Sequence, residues 1–410
     1  ALNATGGAAD LTDNLKALVP SYTATPATGD GSAFVRPTSL RGTAPDQTLV
    51  LVDGKRRHRS ALVQFFAPAA GNGAHGVDIG MIPSIALKRV EVLRDGAASQ
   101  YGSDAIAGVI NFVTKDASEG GSVVLKYGQF YEGEHSINLG LNTGLALGDD
   151  GFLNLSLEYV ENEAHSRGVI RPDAQALIDA GVQGVGADTP FGDAPFTQTW
   201  GRPETDALRF FANAGIDLNN GALWYMRSNY AETFGRYRFF YRNPNHSTLT
   251  TLRGLGYDGN LNNVGFTPFL DGDQKDFSFI TGIEGYYAND THYDFSISHG
   301  SNELDYFLNN TINAGLGLDI NGNIPQMDFD VGGYKQEEIN INADFSKPMG
   351  DDFNLAYGFE WREETYTAIA GEATSYSNAD GSIGAGSSGF KGITPQDSGK
   401  FSRDNYAVYV

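Results

Sequence analysis

The sequence predicts a mainly β protein, a transmembrane antiparallel β-barrel preceded by a small α/β domain. From residue 121 onward, apolar and polar residues alternate in about ten segments, the mark of strands with one apolar face and one polar or small face. Apart from a short first outer link near Glu132-Gly133, the links between these segments alternate between short and long, as in outer-membrane barrels with tight periplasmic turns and long external loops. Charge also divides the chain. Residues 1–120 carry 11 basic and 11 acidic side chains, so the whole net charge of −22 falls in residues 121–410. The predicted boundary lies at Glu119-Gly120-Gly121, giving domains 1–119 and 120–410.

In the first domain Leu11, Leu15 and Leu18 share one helical face, so residues 10–18 form a short amphipathic helix stopped before Pro20. Residues 21–37, rich in Thr, Ala, Gly and Pro, read as loop. Thr48–Val52 is a buried strand turned by Asp53-Gly54. Val90–Leu93 and Val109–Val113 are strands flanking Gly96, Gly102 and Gly108, with Ala97–Gln100 as one tight turn between them.

In the second domain the predicted strands are 121–131, 134–147, 151–163, 205–218, 221–237, 275–288, 291–304, 335–347, 352–368 and 402–410. Phe353-Asn354-Leu355-Ala356-Tyr357-Gly358-Phe359-Glu360-Trp361 is the longest alternation. Gly148–Asp150, Asn219-Asn220, Asn289-Asp290 and Pro348–Asp351 are the tight turns. Connections of 165–204, 238–274, 305–334 and 369–401 all fall at the other end, a parity that a Greek-key sandwich has no reason to keep. No run approaches the ~20 apolar residues of a membrane helix. Cysteine is absent, so there is no disulfide framework and no thiolate metal site. The acidic second part argues against nucleic acid as a partner.

Leu87-Lys88-Arg89-Val90-Glu91-Val92-Leu93-Arg94-Asp95-Gly96, then Tyr101-Gly102 and Ala105-Ile106-Ala107-Gly108-Val109-Ile110-Asn111, resembles the second plug motif of the TonB-dependent outer-membrane receptors. Leu40-Arg41-Gly42 and Thr48-Leu49-Val50-Leu51-Val52-Asp53-Gly54 resemble the first, in the right order. The sequence departs at Asp95-Gly96, where many members have Gly-Pro, which leaves the strand–turn–strand reading intact. The resemblance implies that residues 1–119 are a plug lodged in the lumen of a 22-stranded barrel, of which about ten strands are covered here. A barrel of only ten strands is too narrow for such a domain, so the expectation is a plug and about the first half of a barrel from a longer chain.

The resemblance further implies a receptor in the bacterial outer membrane, with the plug accessible from the periplasm and the long loops extracellular. It would import a scarce nutrient such as an iron chelate, cobalamin, an oligosaccharide or a peptide, by energised rearrangement of the plug. The implied partners are outer-membrane lipid, the nutrient, and TonB with its inner-membrane complex, whose docking segment is expected before Ala1. The competing expectation is a non-transporting surface receptor, adhesin or structural component of an envelope complex.

Arg57, His58 and Arg59 close the one dense basic cluster and, with Phe65, Phe66 and His75, are the candidate ligand contacts at the plug apex. Arg41, Glu91 and Arg94 are the candidates for polar fastening of plug to barrel, since a charge lodged in a lumen must find a partner. Asp319, Asn321, Asn323 and Asp330 partly copy an EF-hand loop, but Ile324 stands where the turn glycine belongs and flanking helices are absent, so a polar loop is expected there and at Asp271-Gly272-Asp273 ahead of a Ca²⁺ site. Gly71-Asn72-Gly73-Ala74-His75-Gly76 spells a dinucleotide fingerprint without the strand and helix it requires. No hydrolase constellation is present, so neither catalysis nor a cofactor is expected.

Overall fold

The computed structural model describes residues 11–24, 31, 35–64, 71–96, 101–102, 104–185, 201–218, 221–350, 352–378 and 386–410. Phe65, Phe66 and the Ala97–Gln100 turn lie outside these residues.

The first domain holds a helix, Leu11–Leu18, and six short strands: β1 (Tyr22–Ala24), β2 (Thr38–Leu40), β3 (Thr48–Val52), β4 (Lys55–Arg56), β5 (Leu87–Leu93) and β6 (Gly108–Thr114). The helix buries Leu11 and Leu15, while Leu18 is exposed. β1 pairs with β2, so the stretch expected to be pure loop contains one strand, too short to show a period. The other four strands form a sheet in the order β4-β3-β6-β5, with β3 and β6 parallel. Gly108 adopts φ +144, and a Cβ there would collide with the Leu93 carbonyl, which is why a glycine opens β6.

From Gly121 a ten-stranded antiparallel wall follows: β7 (Gly121–Gln129), β8 (His135–Ala146), β9 (Gly151–Asn162), β12 (Glu204–Asp217), β13 (Leu223–Arg238), β14 (Phe269–Tyr286), β15 (His292–Asn309), β16 (Phe329–Pro348), β17 (Asn354–Ala370) and β18 (Gly399–Tyr409). The two-residue strands β10 (His165–Ser166) and β11 (Gly201–Arg202) pair with each other at the base of one long connection. All ten expected strands are present, and the short links between them sit at one end; Asn219-Asn220 and Asp351 of the expected turns lie outside the described residues. β14, β15 and β16 run further outward than expected, to Phe269, Asn309 and Phe329. Beyond the bilayer both faces of a strand can be polar, so the alternation fades at Asp271-Gly272-Asp273 while the ladder continues through Gly272↔Tyr306 and Asp273↔Asp305.

The two faces of the wall differ in chemistry. Leu141, Leu157, Phe210, Phe279, Ile297, Ile341 and Phe359 point outward and are exposed, the arrangement of a lipid-facing band. Asn154, Ser156, Glu158, Asn229, Asp276, Ser278, Asn302, Glu338 and Arg362 point inward and are buried beneath the first domain. Val35, Ala61 and Leu62 of that domain share an apolar cluster with Tyr237, Leu270, Leu304 and Tyr306 of the wall.

The long connections also have cores of their own. Helices Pro172–Asp179, Ser247–Gly254 and Leu261–Val264 gather around Leu249, Leu252, Phe266 and Ile312, and around Ala174, Tyr241 and Val264. The long connections therefore pack as a cap at one end of the wall.

An outward charge should cost far more than an inward one. Phe279→Arg is expected to destabilise the protein reconstituted in phospholipid vesicles by about 2–4 kcal/mol. Urea unfolding followed by tryptophan fluorescence measures this; a loss below about 1 kcal/mol would show that Phe279 does not face lipid.

Candidate functional site

The site is the seam between the first domain and the wall, and one short segment makes most of it. β3 ends at Val52, and Asp53 (φ +47) with Gly54 (φ +78) reverses the chain in two residues. The next residues, Lys55 to Ala61, then lie along the inner face of the wall and contact strand after strand.

Lys55 Nζ is 2.7 Å from Asp294 of β15 and 3.3 Å from Asp344 of β16. Arg57 donates to Ser278 at 2.6 Å, to Asn229 at 2.8 Å and to Asp276. His58 Nε2 lies 2.8 Å from the other carboxylate oxygen of Asp276. The Arg59 amide donates to Glu338 at 2.9 Å, and its guanidinium is 3.4 Å from Glu364 of β17. The Ala61 amide donates to Asn302 at 2.7 Å, and Asn302 in turn donates to Asp276 at 2.9 Å. Gly300 opposite His58 is required, because any Cβ there would strike the imidazole ring.

Asp53 adds a second anchor. Its carboxylate accepts from the Thr114 amide at 2.8 Å and pairs with Arg227 of β13 at 2.8 Å. A third anchor is Glu158, which accepts from Ser84 at 2.5 Å and meets Arg209 at 2.8 Å. Asp104 ties the cluster together, at 2.5 Å from Arg56, 3.5 Å from Arg362 and 3.8 Å from Arg59. Burial alone would push the Asp104 carboxyl up; Arg56, Arg362 and Arg59 together outweigh it and hold it below the usual carboxylate range.

These contacts reassign the expected site residues. Arg57 and His58, expected at the plug apex, are 5% and 4% exposed and bonded to the wall. Desolvating a guanidinium is costly, and the inward Asp276 is what makes it tolerable here. Arg59 and His75 line a cavity of about 430 Å³ between the first domain and β16–β18, beside Glu364, Tyr366, Phe401 and Arg403. His75 Nε2 lies 2.5 Å from the Ser60 carbonyl, and burial lowers its pKa, so the neutral ring donates this bond.

Of the three residues expected to fasten the plug, Arg41 and Glu91 find partners, among the described residues, within the first domain. Arg41 pairs with Asp95 at 3.6 Å, Glu91 accepts from Arg89 and Asn111, and Arg94 is exposed. All belong to the first domain, and Glu91 sits on β5, the sheet edge opposite the one that feeds the wall. Asp319 accepts the amides of Asn321 and Asn323, closing an exposed turn, and Asp330 caps Gly332 on β16. No group of three or more His, Asp or Glu among the described residues is arranged to hold a metal ion.

The fold and this seam define a class, an antiparallel membrane-barrel wall carrying a plug on its inner face. Residues 1–109 match the family model for the TonB-dependent Receptor Plug Domain. The match and the relatives support a TonB-dependent receptor, with residues 1–109 as its plug. It is similar to the vitamin B12 transporter BtuB of Vibrio cholerae, 42% identical over 135 residues, which are 32% of this chain and 19% of that protein. It is also similar to the iron-regulated outer membrane virulence protein of the same species, 37% identical over 107 residues, 26% of this chain and 15% of that one. The ferric enterobactin receptor PfeA of Pseudomonas aeruginosa shares the fold at a TM-score of 0.62 and 17% identity, covering 99% of this chain and 53% of that one. The siderophore receptor PirA of Acinetobacter baumannii does so at 0.54 and 19%, covering 85% and 44%. The matches thus span about a fifth of these curated relatives and about half of these solved structures.

Asp276→Asn removes the charge that compensates Arg57 and is expected to cost about 3–5 kcal/mol in urea unfolding of the detergent-solubilised protein. A loss under about 1 kcal/mol would show that the seam does not depend on this carboxylate. Because the Asp104 carboxyl is held low in the folded state, its contribution is present above the ordinary carboxylate pKa and is lost as pH falls through its lower folded value. Acid titration of stability in the Asp104→Asn variant should lack that limb, and an unchanged titration would remove the role assigned to the three arginines.

Proposed function

We propose that this chain is the plug, residues 1–119, and the leading strands, residues 120–410, of an outer-membrane importer. In this reading the plug blocks the lumen at rest and rearranges when a periplasmic partner of the TonB type acts on it. The long connections face outward and the tight turns face the periplasm. The imported solute belongs to the scarce-nutrient class; BtuB is named for vitamin B12, and PfeA is titled a ferric enterobactin receptor.

The observation that carries the reading is the polarity of the seam. A permanent seal would favour apolar packing. Here Lys55, Arg57, His58 and Arg59 meet Asp294, Asp276, Glu338 and Glu364 through bonds that water can replace once the contact opens. Arg59 and His75, lining the cavity beside Tyr366, are the plug residues best placed to touch a descending solute.

Residues 1–410 contain no cysteine, so two introduced cysteines meet no competing thiol within them. Ala61→Cys with Asn302→Cys should form a plug-to-wall disulfide and abolish uptake of a labelled nutrient by whole cells, and reductant should restore it. Uptake should also stop when the proton gradient is collapsed. Undiminished uptake through the oxidised, fully cross-linked protein would sink the moving-plug reading.

A further inference from the structure

Arg242 is an anomaly in so acidic a chain. It follows β13 in the outer cap, held by a two-way backbone bridge with Phe266. Its side chain is half-buried. Nε donates to Ser388 Oγ at 3.2 Å and Nη1 to the Phe240 carbonyl at 2.9 Å. No carboxylate among the described residues lies within ion-pair distance of it, although the chain carries 50 Asp and Glu against 28 Lys and Arg. A partly desolvated guanidinium that meets only neutral acceptors is unfavourable.

Its surroundings add positive charge. Arg171 donates to the Tyr241 carbonyl at 3.1 Å, next in sequence to Arg242. Asp173 is already engaged by Arg171 Nε at 2.9 Å, by the Ala174 amide at 3.0 Å and by Asn243. Burial, and then the Arg171 charge, push the Arg242 guanidinium down to about 10. His246 is pushed down by burial and then by both arginines, so it stays neutral and adds no further positive charge.

The position also lies close to the plug. Gly389, at φ +119, lets its loop lie against Phe239 and Arg242 together: a Cβ there would be 3.2 Å from the Phe239 ring and 3.7 Å from Nη2. Phe239 packs on the cluster that contains Val35, Ala61 and Leu62 of the plug. Arg242 therefore stands one aromatic layer above the plug, with Nη2 making no hydrogen bond among the described residues.

We propose that Arg242, supported by Arg171, is an oxyanion-binding site that takes a carboxylate or phosphate group of the incoming solute. A planar fork with an open nitrogen suits two-oxygen recognition of such groups. The site narrows the solute class of the import reading, on which its biological role rests, but anion binding at Arg242 can be tested without transport.

The test uses the full-length receptor in detergent, with citrate and inorganic phosphate as probes against chloride at matched ionic strength. Either probe should raise the Tm of the native protein, and Arg242→Gln should weaken the apparent affinity about tenfold. In chloride alone Arg242→Gln should leave the Tm unchanged or raise it, because it removes an uncompensated charge. A Tm that falls in chloride alone would make Arg242 a structural clip and overturn the proposal. So would the absence of any probe effect on the native protein, or an equal effect in native and variant. Arg242→Lys, which keeps charge but loses the fork, should bind more weakly than the native protein, and full retention of affinity would also overturn it. If anion binding holds while whole-cell uptake fails, the site stands and the import reading falls.

Discussion

Asp276 accepts an impossible-looking pair of neighbours, a guanidinium from Arg57 and an imidazole from His58, at a point where all three side chains are almost completely buried. Remove the carboxylate and a cation is left in a place water cannot easily reach. Remove the cation and the wall carries an uncompensated anion in its lumen. Much else at the seam is arranged around keeping this cluster whole. Asn302 bonds Asp276 and the Ala61 amide, Asn229 and Ser278 take the remaining Arg57 donors, and Gly300 clears room for the ring. The plug and the wall each present half of a cluster that neither can satisfy alone.

That mutual need explains why the inner face of the wall is polar while the outer face is not. The alternation along β14, with Gln274, Asp276 and Ser278 inward and Phe277 and Phe279 outward, serves two solvents at once. Outside is hydrocarbon, where an apolar side chain costs nothing. Inside is another protein surface rich in donors from Lys55 to Ala61. The same period therefore encodes both membrane insertion and plug recognition.

This doubling sets what was legible in the sequence. Period two located all ten wall strands, and the glycine-rich punctuation located their turns. The plug strands β3, β5 and β6 were equally readable, because short β-branched runs between glycines have few other homes. What escaped were pairings between distant segments. Asp276, Glu338 and Glu364 look like ordinary polar positions in alternating strands, and only the folded register brings them to Arg57 and Arg59. Arg41, Glu91 and Arg94 follow from motif and charge alone, and Glu91 lies on β5, the sheet edge away from the ten strands described here. The one available signal was the density of Lys55-Arg56-Arg57-His58-Arg59 itself, since so many cations in five residues need acids nearby. The cap cores around Leu249 and Tyr241 were also hidden, because helices of eight residues or fewer in long connections give too little periodicity to read.

The wall contacts of Lys55 to Ala61 are consecutive along the backbone, and this has a mechanical consequence. Bonds strung along one strand of chain are loaded in series when that chain is drawn lengthwise out of its groove. Each breaks nearly alone, so the peak tension approaches that of the strongest single contact rather than the sum of all. The same bonds distributed over several parallel segments would share the load and resist as a block, as a sheared patch does where a peeled one yields. A seam of this kind is firm against thermal agitation, which must disrupt many contacts together, yet compliant to a directed pull.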